Sequence, residues 1–458
     1  MSRTERLVLS IAVLAAFVTF LDGSVINVAL PAIEKELGGG ITAQQWVVDA
    51  YLISLGTLIL LAGSLSDAFG RMLILKVGLI GFAASSLLIA IAPTWQLLVV
   101  LRGVQGVAGA LLVPSALAII IATFSGVAQA KAIGTWTGWT SAAFLAGPLL
   151  GGLFVDFLSW RLVFAINVIP IAVTLFLIYK LDAKFEKPEN AGIDWLGAVL
   201  GIIGLGGPVF ALIEQGNFGW GSPVILLPFV LGLVSLAAFI LRQRTAKHPM
   251  LPLALFAVRN FSVGNVATTL IYAALSLGGF LVGIYLQEVA GYSATWAGLA
   301  FLPITIASIA LSSKFGELAG RFGPRLFMGI GPIIGGVGYL LMLTTGSDVN
   351  YWTQLLPGVL LFSIGLTATV APLTAAILGS IPPGQSGIGS AINNAVSRIA
   401  GLVAIAFVGV IVGPTLDVDS FHRGLIVTAV LLIAGGIVSW IGIQNPAKKT
   451  EPAAATSA

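Results

Sequence analysis

The chain has 458 residues, of which 58% are hydrophobic and only 9% charged, and its mean hydropathy is +1.05. Soluble domains carry about 25% charged residues, so this composition excludes a soluble protein and describes a polytopic helical membrane protein. The 56 glycines suit helices packed closely in lipid. A net charge of +4, scattered over loops rather than gathered on one face, argues against nucleic acid as a partner. Cysteine is absent, which removes disulfide, thiol and thiolate–metal chemistry. His248 and His422 lie far apart near span ends, so no metal site and no cofactor are expected.

The first segment, MSRTERLVLSIAVLAAF, has the basic start and apolar run of a signal peptide. Its apolar residues continue past Asp22 to Leu30, about 24 residues from Leu7, which is enough to cross a bilayer. It reads as an uncleaved first span. Fourteen spans are predicted in chain order, at about 7–30, 44–65, 73–92, 95–123, 130–155, 160–180, 193–214, 222–241, 261–287, 293–313, 326–345, 352–378, 387–412 and 422–443.

With the N-terminus inside, the inner segments hold Arg3, Arg6, Arg71, Lys76, Lys131, Lys180, Lys184, Lys187, Arg242, Arg244, Lys247, Arg259, Lys314, Arg321, Arg325, Lys448 and Lys449. The outer segments keep Lys35, Arg161 and Arg423, and Arg102 and Arg398 fall within spans. That asymmetry puts both termini in the cytoplasm. GSLSDAFGRM (63–72) and GELAGRFGPR (316–325) match at Gly, Leu, Phe and Gly under an offset of 253 residues, each after an even-numbered span. Two six-span repeats with two extra spans follow: an N-terminal bundle over 1–181, an inserted pair with linkers over 182–250, a C-terminal bundle over 251–443 and a tail over 444–458.

The motifs carry a resemblance. GSLSDAFGRM resembles the loop between spans two and three of the major facilitator superfamily, LRGVQGVAGA (101–110) its proton-coupled fourth span, and AFLAGPLLGG (143–152) the fifth-span signature of its antiporters. LDGSVINVALP (21–31), WVVDAY (46–51) and SWRLVFAINVIP (159–170) are similar to motifs of the fourteen-span drug:proton antiporter branch. The resemblance implies an all-α fold of fourteen transmembrane helices arranged 6+2+6. It implies a conformational latch at Gly63, Asp67, Gly70 and Arg71, and an antiporter gate at Gly147, Pro148, Gly151 and Gly152. A tight surface loop and ordinary small-residue packing are the plainer readings of these two stretches. In the second copy of the loop, Gly320 stands where Asp67 would be, so a latch there is weaker or uses Glu317.

Charges inside spans are costly and point to function. Helical rise places Asp22 about 8 Å, Asp49 about 8 Å and Arg102 about 10 Å below the outer edge of a core about 30 Å thick. The three therefore share one level on the first, second and fourth spans and form a predicted proton-coupling set; structural bonding of each is the competing reading. Asn27, Trp46, Tyr51, Gln105, Asn393, Asn394 and Arg398 are candidates for lining a substrate cavity. Trp46, Tyr51, Trp136 and Trp139 suit either stacking on a flat substrate or anchoring at the interface. Glu34, Glu36, Asp156, Glu214 and Glu288 fall at outer ends or loops and are expected to be solvated.

No Gly-Lys dipeptide exists to hold nucleotide phosphates, and no HExxH or GxSxG motif suggests an enzyme. The expectation is a secondary active transporter in the plasma (cytoplasmic) membrane, exporting hydrophobic or cationic organic compounds in exchange for protons by alternating access. Its partners are then the lipid bilayer, a small organic substrate and protons, with the chain acting as a monomer. Export of one defined metabolite, antibiotic or lipid is the alternative, and a membrane sensor or scaffold is the reading without transport.

Overall fold

The computed structural model describes residues 1–181, 192–382, 385–413 and 415–445. The charged break 182–189, with Lys184 and Lys187, and Lys448 and Lys449 of the tail lie outside the described residues. No strand occurs among the described residues, and thirteen of their helices are long and apolar enough to cross a membrane. The fifth predicted span falls on a longer helix, Gly126–Phe157, whose apolar stretch is Ala146–Phe157.

The first seven helices are α1 (Arg3–Leu37), α2 (Gly40–Phe69), α3 (Arg71–Ala90), α4 (Trp95–Thr123), α5 (Gly126–Phe157), α6 (Leu162–Ala165) and α7 (Val168–Tyr179). They pack mainly on one another, with α1 against α4, α5 and α7, and α2 against α4. A second set comprises α10 (Arg259–Glu288), α11 (Ala294–Leu299), α12 (Leu302–Phe322), α13 (Pro324–Leu341), α14 (Leu356–Leu378), α15 (Ser386–Ala406), α16 (Val408–Val412) and α17 (Val418–Gly442). Between them in sequence, α8 (Trp195–Phe218) and α9 (Pro223–Thr245) form a hairpin in which α8 touches α2, α15 and α16.

Local chemistry sets the ends of these helices. Ser2 and Glu5 form a capping box at the start of α1, and Thr94 accepts the Leu97 amide at the start of α4. Gly70 and Gly323 sit at φ +98° and +86°, the left-handed region that glycine tolerates, and each turns one span straight into the next. Asp194 caps α8 by accepting the Gly197 amide at 3.0 Å, and it also accepts from Gln243 at 2.9 Å and Arg242 at 3.1 Å on α9. Burial alone would raise the Asp194 carboxyl; the Gly197 amide, Gln243 and Arg242 outweigh it and hold the group below the ordinary carboxylate range.

Hydrogen bonds near helix ends join the two sets. Gln44 donates to Glu288 at 2.7 Å, and Gln45 donates to the carbonyls of Ile405 and Ala406 at 2.7 and 3.2 Å. Asp156 accepts the backbone amides of Ala294 and Thr295 at 3.0 and 2.7 Å. On the inner side, Ala319 is the single buried residue of α12, and Gly134, Gly138, Gly316 and Gly320 have open space around them.

Candidate functional site

The fourth helix brings Arg102, Gln105, Gly106 and Gly109 onto one face by their three- and four-residue spacing. A Cβ on Gly106 would strike the Tyr51 carbonyl, and one on Gly109 would lie 3.2 Å from the Tyr51 hydroxyl. The two glycines thus let α4 lie against α2, and the Arg102 Nε reaches the Val47 carbonyl at 3.0 Å.

Asp22 is the centre of a buried network. Its Oδ2 accepts from Arg102 at 2.6 Å, and its Oδ1 accepts from Gln105 at 3.1 Å and Asn167 at 2.9 Å. Gln105 accepts a second Arg102 bond at 2.6 Å and donates to the Ser86 hydroxyl at 2.9 Å. The Arg102 guanidinium lies 4.2 Å from the Tyr51 ring centroid, a desolvated cation–π contact of about 2 kcal/mol. Asp22 and Arg102 are wholly inaccessible, at 0% exposure. Removing one partner of such a pair strands a buried charge at a cost of about 3–5 kcal/mol.

Not every predicted member of the site joins it. Asp49 is equally buried, but neither carboxyl oxygen has a hydrogen-bond partner among the described residues, so Arg102 does not hold it. It shares a face of α2 with Gln45, which donates to the last carbonyls of α15, and with Gly56, which lies against Ile399 and Arg398. Asp49 therefore belongs to the seam between the two sets. Gln105 and Tyr51 are not cavity-lining, because both are sealed in the Asp22 network. Trp46 turns away to α8, donating to Glu214 at 2.7 Å and packing on Phe210. Asn393 is engaged by Asn265 and Thr268 of α10 at 3.2 and 2.9 Å, and Asn394 donates to Ser390 of its own helix. Asn27 and Arg398 stay half-buried on facing surfaces of α1 and α15.

The acids expected to be solvated are mostly occupied. Glu36 binds Trp160 and Arg161 at 2.6 Å each, and Asp156, Glu214 and Glu288 make the bonds described above. Trp136 is buried and Trp139 is exposed. Asn167 and Ser86 are network members that the sequence reading missed. Asn167 lies in SWRLVFAINVIP, where Trp160 and Arg161 clamp the outer end of α1 and Asn167 reaches its middle, so the motif itself was the signal.

Gly147, Gly151 and Gly152 work as contact points. A Cβ on Gly147 would meet Ser24, and one on Gly151 would lie 2.8 Å from the Val25 carbonyl. Gly152 lies against Ala294 and Thr295, and the Pro148 carbonyl against Gly298. The motif thus brings α5 into close contact with α1 and α11. Asp67 and Arg71 pair with each other at 3.6 Å, and Glu317 and Arg321 pair at 2.7 Å in the second copy. Apart from the network, an apolar groove lined by Leu270, Leu277, Val403, Phe407 and Leu431 opens between α10, α15, α16 and α17. No cluster of metal ligands occurs among the described residues.

Two packed sets of membrane-length helices, with a buried charge network in the first, define a multi-pass membrane protein. The chain matches the Major Facilitator Superfamily over residues 12–405 and belongs to it. It is 32% identical over 416 residues to the methylenomycin A resistance protein of Bacillus subtilis (strain 168), covering 90% of this chain and 88% of that protein. It is 31% identical to the puromycin resistance protein pur8 of Streptomyces alboniger, covering 95% and 91%. The crystal structure of an auto inhibited POT family peptide transporter shares the fold with a TM-score of 0.69 at 15% identity, covering 99% of each chain.

Proposed function

We propose that this chain is a proton-coupled efflux transporter of the fourteen-span drug:proton antiporter branch, laid out 6+2+6 in the cytoplasmic membrane. It exports hydrophobic organic compounds. The observation that carries the reading is the Asp22–Arg102 pair at 2.6 Å, fully buried between α1 and α4 and tied to three other helical segments, α2, α3 and the start of α7. A proton arriving on Asp22 removes the charge that Arg102, Gln105 and Asn167 hold in common. Arg102 keeps the Gln105 and Val47 oxygens, and the unpartnered Asn167 Oδ1 is placed to accept the new hydroxyl after an amide turn. The grip of α2, α3, α4 and α7 on α1 then weakens, which biases the equilibrium between the two access states. Asp22 and Asp49, the intramembrane acids that a cationic compound would meet, are both fully buried, which favours hydrophobic over cationic compounds within the expected range.

Two of the similar proteins are named after a single antibiotic, which favours a second reading in which one defined compound is exported, whereas another, 30% identical over 421 residues, is named a multidrug resistance protein. Inverted vesicles separate the readings. A panel of dyes and biocides should release an imposed proton gradient, measured by fluorescence dequenching, and Asp22→Asn should abolish the release while the protein is still made. Response to one compound alone selects the second reading, and full activity in Asp22→Asn removes Asp22 from proton coupling.

A further inference from the structure

Two arginines lie deep in membrane-spanning helices, and their surroundings differ. Arg102 is enclosed by acceptors. Arg398 makes no hydrogen bond or ion pair among the described residues. Its guanidinium lies over the Phe20 ring, 5.3 Å from the centroid, and one nitrogen stands 3.8 Å from where a Cβ on Gly23 would sit. Phe20, Gly23 and Asn27 form the half-exposed face of α1 that looks across to the second set. Asn394, one turn before Arg398, shares its side of α15.

A guanidinium cannot lose its charge, and placing it unpaired in a poorly hydrated interior is costly. Among the described residues no carboxylate pairs with it. Asp22 points into α4, Asp49 is sealed in the seam, and Glu288, Asp156 and Glu317 are bonded at the ends of their helices. The central surface is therefore positive at mid-span, beside an aromatic ring.

We infer that Arg398 is a substrate-binding residue and that the exported compounds are amphipathic organic acids, whose carboxylate docks on Arg398 while their apolar body lies along Phe20 and the α1 face. This rests on the efflux reading and narrows its substrate. A planar guanidinium takes a carboxylate through two parallel N–H···O bonds. A cationic substrate would meet repulsion at the same point.

The test uses three compounds with one naphthyl body, ending in a carboxylate, a primary amide or an amine. Gradient-driven uptake is measured in inverted vesicles, and binding to the purified full chain is measured by tryptophan fluorescence. The wild type should bind and move the acid at least about tenfold better than the amide or amine. Arg398→Gln should remove that preference, lowering acid binding about tenfold while leaving amide binding unchanged, and Arg398→Lys should restore part of it. Equal handling of the three compounds by the wild type, or unchanged acid binding in Arg398→Gln, overturns the assignment with efflux still standing. Arg398-dependent acid binding without gradient-driven flux of any compound overturns the efflux reading and keeps the recognition site.

Discussion

Two sets of helices pack in this molecule, and they fill their interiors by opposite means. Under the 253-residue offset, Gly70 falls on Gly323, and both take the same left-handed turn between spans. Asp22, Arg102, Gln105 and Ser86 of the first set fall on Leu275, Leu355, Gly358 and Tyr339 of the second. Where Gln105 and Ser86 bridge α3 to α4 by hydrogen bonds, the second set brings backbones together. A Cβ on Gly338 would sit 2.6 Å from the Gly358 carbonyl and 2.7 Å from the Phe362 amide. Tyr339 then packs on Phe362 at 4.9 Å. Apolar packing can replace a buried ion pair at little or no loss of stability, and the second set shows that this fold accommodates the apolar solution. The polar network of the first set is thus explained by function better than by stability.

Copying one set into the other breaks that comparison most severely. Arg102→Leu alone strands the Asp22 carboxylate and should cost about 3–5 kcal/mol, read as a large drop in thermal stability of the purified protein. Adding Asp22→Leu should recover most of that loss while proton-driven efflux stays absent. Recovery of transport in the double variant would detach the network from coupling.

A smaller effect is expected on the other side. Gly338→Leu inserts a side chain where two backbones touch and should cost about 1–3 kcal/mol. Leucine at the offset position, Ser85, replaces an existing side chain bonded to Gly81 and Phe82 and should be tolerated better. Equal losses at the two sites would contradict the difference in helix approach.

Asp194 tests the hairpin that has no counterpart in either set. Asp194→Ala should destabilise by about 1 kcal/mol at neutral pH. Because folding lowers the Asp194 carboxyl, its contribution is complete above the ordinary value of about 4 and fades as pH falls through the lower folded value. The gap between wild type and variant should therefore close in acid. A gap that widens in acid would reverse the assigned shift. The smallest change is expected from Glu317→Gln, since its pair with Arg321 is exposed on both sides. Thermal stability should move by less than about 0.5 kcal/mol.

Much of the architecture was legible because lipid imposes a simple code. Each spanning segment must satisfy its own backbone bonds and show an apolar exterior, so length and hydropathy locate helices. The motif LRGVQGVAGA also showed its role in part, since glycine spacing and a mid-span arginine both stand out. The partners of Asp22 were less legible. Asn167 and Ser86 are ordinary polar residues in apolar helices, and only packing shows whether such a side chain meets a carboxylate, its own helix or the bilayer. Asp49 resisted for the same reason: its level in the membrane was readable, but its rotation about α2 was not.

By itself the sequence determined a multi-pass helical membrane protein with costly charges on the first, second, fourth and penultimate predicted spans. These follow from hydropathy, loop charge and local turn chemistry, which act over a few residues. Tertiary structure alone decided that Arg102 closes on Asp22, that Gln105 and Tyr51 belong with them, and that Arg398 stands without an acceptor. Those outcomes depend on helix rotation and close approach at glycines 106, 109 and 147, quantities set by contacts between segments far apart in the chain.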